Sequence, residues 1–102
     1  MISSDSYPCR SDELAWRVID GEVVILTIDG SEIHTLNKVG SAIWELADGT
    51  RTLEDVVSLI CERFEVSFDV AHADVLKFAQ QLEAKKMLQI TNRDAGANGD
   101  GD

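Results

Sequence analysis

His34 and His72, with Cys9 and Cys61, are the side chains of this sequence best suited to general acid–base work, metal ligation or nucleophilic attack. Each of those chemistries needs partners at a defined spacing: a triad needs a base oriented by a carboxylate, and a structural zinc needs several N or S donors in closely spaced pairs. Neither histidine has a Cys, His or carboxylate placed to build such a site, and the cysteines lie far apart with no CxxC, so neither a zinc site nor a disulfide framework is indicated. His34 reads as a surface residue of a strand and His72 as one near a helix N-terminus. Cys61, between Ile60 and Glu62 in a helical stretch, reads as a small core or boundary residue. Cys9 has no neighbouring base to draw out its thiolate. Asp20-Gly21 and Asp29-Gly30 are turn signals, not a phosphate loop. The residues predict no enzyme activity, no cofactor and no metal, and leave binding as the function.

Binding by backbone needs an unpaired strand, and the pattern of elements supplies one. Trp16-Arg17-Val18-Ile19 reads as a short strand ending at the Asp20-Gly21 turn, and residues 22–28 follow as a β-branched strand apolar enough to be buried on both faces. After Asp29-Gly30, residues 31–36 alternate, with Glu32, His34 and Leu36 opposite Ile33 and Thr35, as an edge strand does. The remainder is helical. Asn37 caps a helix whose buried stripe is Val39, Ala42, Ile43, Leu46 and Ala47, ended by Asp48-Gly49. Thr52 caps a second, with Asp55 three positions on and Leu53, Val56, Val57, Ile60 and Phe64 inward. Ser67 or Asp69 caps a third running to about Lys86, with Val75, Phe78, Ala79 and Leu82 inward. Residues 87–90 form a short strand or an extended tail. Three strands followed by three helices predict an α+β fold, a three-stranded antiparallel sheet with a three-helix bundle, winged-helix-like in outline.

An extended peptide can add to the 31–36 edge as one more strand, and the third helix can wall it with Leu76, Phe78 and Ala79 for apolar contact and Lys77, Gln81 and Lys85 for polar contact. Val75, Phe78 and Leu82 equally have the spacing of core residues.

The 102 residues carry a net charge of −10 and are 44% hydrophobic, enough for one domain. Such a charge disfavours nucleic acid and anionic membrane as partners, because phosphates are bound chiefly by neutralising them with Lys and Arg. No apolar run approaches the roughly 20 residues that span a bilayer, and the polar start is unlike an export signal. A cytoplasmic, reducing setting is expected. Residues 1–14 are expected as a flexible N-terminal segment, 15–91 as the binding domain, and 92–102 as a disordered acidic Gly/Asp tail.

Leu36-Asn37, Gly40, the run Ile43-Trp44-Glu45-Leu46-Ala47-Asp48-Gly49-Thr50-Arg51-Thr52, and then Asp74-Val75, Phe78 and Leu82 together resemble the PqqD family of RiPP recognition elements, from about Trp16 to Leu88. The resemblance implies a non-catalytic peptide chaperone. It would bind the leader segment of a ribosomally made precursor peptide and present it to a modifying enzyme, often a radical-SAM protein, as in pyrroloquinoline quinone biosynthesis. Carried over by position, it implies a pairing strand of Ser31, Glu32, Ile33, His34, Thr35 and Leu36, and a helix wall of Val75, Phe78, Gln81, Leu82 and Lys85. Two other readings stand beside it: a homodimer or scaffold subunit formed by edge pairing between copies, and a winged-helix DNA-binding regulator, which the acidic charge disfavours.

Overall fold

Turn and cap residues divide the chain where its hydrophobic period changes. The computed structural model describes residues 5–27 and 30–92. Ile28, Asp29 and the Gly/Asp tail lie outside the described residues. Along the chain run β1 (Ser6–Arg10), β2 (Ala15–Ile19), β3 (Glu22–Leu26), β4 (Ile33–Thr35), α1 (Lys38–Leu46), α2 (Leu53–Phe64), α3 (Phe68–Ala84) and β5 (Leu88–Asn92).

Asp20 and Gly21 take φ of 54° and 82°, the two positive values that a tight hairpin needs to match strand twist. They set Ile19 opposite Glu22 and leave β3 in the middle of an antiparallel sheet ordered β2-β3-β4. One face of β3, Val23 and Ile25, is fully buried against the helices. The other face is not covered: Val24 is half-buried and Leu26 exposed. The expectation that this strand is buried on both faces is therefore corrected, because all three helices follow the sheet in sequence and nothing among the described residues packs behind it.

Each helix starts where a side-chain oxygen can take an orphan backbone N–H. Asn37 accepts from the Gly40 amide at 2.7 Å. Thr52 and Asp55 exchange bonds of 3.1 Å in a reciprocal capping box. Ser67, the first of the two residues expected to cap α3, accepts from Val70. The inward stripes meet in one core of Val23, Ile25, Ala42, Ile43, Trp44, Leu53, Val56, Val57, Ile60, Val75 and Leu82.

Ser41 ties α1 to the sheet. Its buried hydroxyl accepts from the Val23 N–H at 2.7 Å and donates to the Leu36 carbonyl at 3.2 Å, bridging the end of the β3–β4 ladder. Ser41→Ala leaves both groups without that bridge, and a buried N–H without an acceptor costs about 1–3 kcal/mol. The expected result is a lower denaturation midpoint at unchanged slope.

The largest difference from the sequence reading is at the ends. Residues 6–10, expected within a flexible segment, form β1, which pairs antiparallel with β5 from Ser6↔Asn92 to Arg10↔Leu88. The Arg10 amide donates to the Ala47 carbonyl, and its guanidinium donates to the carbonyls of Trp44 and Glu45 at 2.9 Å. It thereby supplies the cationic cap that the C-terminus of α1 lacks in its own sequence. Pro8 is tolerated because its nitrogen, like that of Arg10 two residues on, faces away from β5, so no bond of the β1–β5 ladder is lost.

Between α1 and α2, Gly49 turns at φ 86° and donates to the Pro8 carbonyl. The Asp48 carboxylate accepts from the Thr50 hydroxyl (2.6 Å) and amide (3.0 Å), and from Arg51 at 3.0 Å. The Thr50 hydroxyl bond, then the Thr50 amide and finally Arg51 hold the Asp48 pKa below its ordinary 3.8, with slight burial opposing them. A depressed native value means that the folded chain binds this proton more weakly than the unfolded chain does. Asp48 therefore stabilises above the ordinary value, and that contribution is lost as pH falls through the native one. Asp48→Asn is expected to flatten the pH dependence of unfolding free energy below about pH 4, as read by denaturant titrations at stepped pH.

Candidate peptide-binding edge and groove

The alternation of β4 can be assigned bond by bond. Leu36 N–H donates to the Val23 carbonyl at 2.9 Å and Thr27 N–H to the Glu32 carbonyl at 3.1 Å, while Val24, Ile25 and Leu26 face Thr35, His34 and Ile33. Bonded and non-bonded pairs alternate in an antiparallel ladder, so Glu32, His34 and Leu36 turn their backbone groups toward β3. The N–H and C=O of Ile33 and Thr35 point to the open side. Among the described residues no strand pairs there.

Side chains follow the same alternation. Ile33 and Thr35 lie on the uncovered face; His34 and Leu36 lie on the helix side, where Leu36 packs against the core. Glu32 Oε1 is 2.8 Å from His34 Nε2.

The chain leaves β4 through Leu36 into Asn37, and Asn37 lines a groove of about 270 Å³ between the start of α1 and the middle of α3. Val39, Gly40 and Ile43 form its α1 wall; Asp74, Lys77, Phe78 and Gln81 form its α3 wall. Gly40 is what lets the two helices approach. A Cβ there would stand 3.0 Å from the Phe78 ring and 3.1 Å from Asn37 Oδ1. Among the described residues the sheet has a second free edge on β2, but only β4 continues into this groove. Val39, Ile43 and Phe78 give the groove apolar surface, Asn37 and Gln81 polar surface, and Asp74 and Lys77 one charge of each sign, an arrangement suited to an extended peptide with mixed side chains.

The residues expected on the helix wall separate into two sets. Phe78 and Gln81 line the groove, and Lys85 is exposed at the C-cap of α3. Val75 and Leu82 are 0% and 6% exposed, and face the core rather than the groove. Their spacing served helix packing. Val39, Gly40 and Asp74 as groove residues were not foreseen. A glycine in the first turn of a helix, a residue that in a helix interior costs up to about 1 kcal/mol against Ala, was the signal for Gly40. Ser31 and Glu32 are exposed just before β4.

Among the described residues no group of three His, Cys, Asp or Glu side chains could hold a metal ion. No helix of the described residues is long and apolar enough to cross a membrane.

The family model described as coenzyme PQQ synthesis protein D (PqqD) matches residues 22–88. Among solved structures, TbiB1 in complex with the TbiA(beta) leader peptide superposes with a TM-score of 0.72 at 31% identity, covering 79% of this chain and 94% of that one. The solution structure of the PqqD truncation of Methylobacterium extorquens PqqCD, described as a functional, stand-alone RiPP recognition element, gives a TM-score of 0.72 at 19% identity, covering 87% and 95%. No match is found among curated proteins.

Proposed function

Because this chain belongs to the PqqD family, we propose that it is a non-catalytic recognition element which captures the leader segment of a ribosomally made precursor peptide as a fourth strand on β4. The observation that carries this reading is the open backbone of Ile33 and Thr35 at the mouth of the α1–α3 groove. Strand addition there supplies hydrogen bonds whose number does not depend on leader sequence, while the groove takes the side chains that alternate toward the helices. The likeness to a structure that holds a leader peptide supports it. Ser31, Glu32, Ile33, His34, Thr35 and Leu36 would line the pairing side, and Phe78, Gln81 and Lys85 the helix side, with Val75 and Leu82 holding α3 in place.

The captured leader leaves the remainder of the precursor free to enter a modifying enzyme, proposed to be a cytoplasmic radical-SAM protein. Titrating the isotope-labelled chain with the precursor encoded beside its gene is expected to shift the amides of Ile33 and Thr35 and those along α3. Binding that shifts only residues remote from β4 and α3 would overturn this placement. The companion assay is modification of the precursor with and without the chain, which is expected to slow when it is omitted.

A further inference from the structure

The face of the sheet turned away from the helices is uncovered and largely apolar, with Arg17, Glu22 and Thr35 as its polar members. Ala15, Arg17, Ile19, Val24, Leu26 and Ile33 line a shallow trough of about 330 Å³ across β2, β3 and β4. Ile19 is 50% exposed, Leu26 40% and Ile33 68%, which makes Ile33 the most exposed large apolar side chain of the described residues. It lies at the open end of the Ala15–Leu26–Ile33 cross-strand row. Leu26, the interior member of that row, has a neighbour on both sides, and Ile33 lacks one only toward the β4 edge.

That same edge carries the free N–H and C=O of Ile33. A strand added there, in either direction, sets one residue directly beside Ile33 with its side chain on the same outer face, at a Cβ separation of about 4.5–5.5 Å. We propose that Ile33 is a specificity residue: it selects a leader with a large apolar side chain at the position beside it, on the side of the sheet away from the helix groove. This inference rests on the strand-addition reading of β4. It adds that the leader is read on both faces, so the recognised segment carries apolar residues at adjacent positions, as a strand covered on two sides does, and not the simple alternation that the groove alone would select. The occupant is the leader and not a second copy of the chain, because the row ends at the residue whose backbone is open and is continuous with the groove through β4.

The test is a coupling measurement on the full chain. Each leader residue of the precursor encoded beside the gene is replaced in turn by Thr, and affinities are measured for the wild-type chain and for Ile33→Thr. Thr retains the β-branch, and Ile33 is exposed, so the variant is expected to keep native amide dispersion. Ile33→Thr is expected to weaken capture about tenfold, with β4 shifts preserved at saturation. One leader position is expected to lose about tenfold against the wild type and less than about twofold against Ile33→Thr. Equal losses at every position in both backgrounds would overturn the inference and leave strand addition standing. No binding by the wild-type chain would overturn both. Concentration-dependent shifts at Ile19, Leu26 and Ile33 without peptide would assign the face to a second copy and overturn the inference.

Discussion

Ile33→Pro is expected to weaken leader capture at least about 100-fold while leaving the chain folded. Proline removes the N–H that points to the open side, and its ring occupies the space in which an added strand would have to lie. Neither change touches the β3 ladder, because Ile33 sits in a non-bonded pair with Leu26, and the bonds to β3 run from its neighbours. The residue before a proline is pushed toward extended geometry, which suits Glu32 ahead of a strand. One lost hydrogen bond is worth about 0.5–1.5 kcal/mol net, and steric exclusion of the remaining strand supplies the rest of the expected effect. His34→Pro is the contrasting variant. Its N–H belongs to a pair that bonds toward β3, so it is expected to lower stability as well as binding. Calorimetric titration gives the affinities, and amide spectra of the free proteins separate loss of the edge from loss of the fold. Full binding by Ile33→Pro would remove β4 as the capture strand.

The second large effect concerns Trp44. This side chain is the largest fully buried one, at 0% exposure; it meets Trp16 edge-on at 6.0 Å and 84°, while the Arg10 guanidinium lies 5.0 Å over the Trp16 ring. Trp44→Ala is expected to cost about 3–5 kcal/mol through lost burial and the cavity left behind. That is a large part of the roughly 5–15 kcal/mol that stabilises a domain of this size. Trp44→Phe is expected to cost far less, about 1–2 kcal/mol. The reason is specific to this site. Trp44 Nε1 is buried with no hydrogen-bond partner among the described residues, so Phe gives up packing volume but no hydrogen bond, and an orphaned donor is removed with it. Chemical denaturation of the three proteins measures the order. A Phe variant as unstable as the Ala variant would show that the indole N–H is satisfied in solution.

Trp44 also marks where reading along the chain stops. The α1 stripe of Val39, Ala42, Ile43, Leu46 and Ala47 follows from helical spacing, and Trp44 falls beside it rather than within it. It is buried because Trp16 of β2 and Arg10 of β1 close over that side of the helix, contacts made across 28 and 34 positions of sequence. The same cause hid β1. Residues 6–10 have no apolar period of their own and become a strand only because β5 lies opposite, with Thr91 Oγ1 reaching the Tyr7 carbonyl across 84 positions. The run Asp48-Gly49-Thr50-Arg51-Thr52, the most specific piece of the family likeness, has structural work throughout. It turns the chain, accepts β1 and caps α2, at a distance in sequence from the proposed capture edge.

By itself the sequence determined what short-range chemistry controls. Positive-φ turn pairs placed the β2–β3 hairpin, Asn, Thr and Ser caps started the helices, and alternation put Ile33 and Thr35 opposite His34 and Leu36, since each signal acts within a few residues. Tertiary structure alone decided which of those surfaces is free. Register against β3 determined that Ile33 and Thr35 hold the open backbone groups; helix packing withdrew Val75 and Leu82 into the core and left Phe78 and Gln81 at the groove. The placement of every helix on one side left the other face of the sheet bare. An edge, a groove and an uncovered face are properties of what does not lie next to a residue, and that depends on segments far away in the chain.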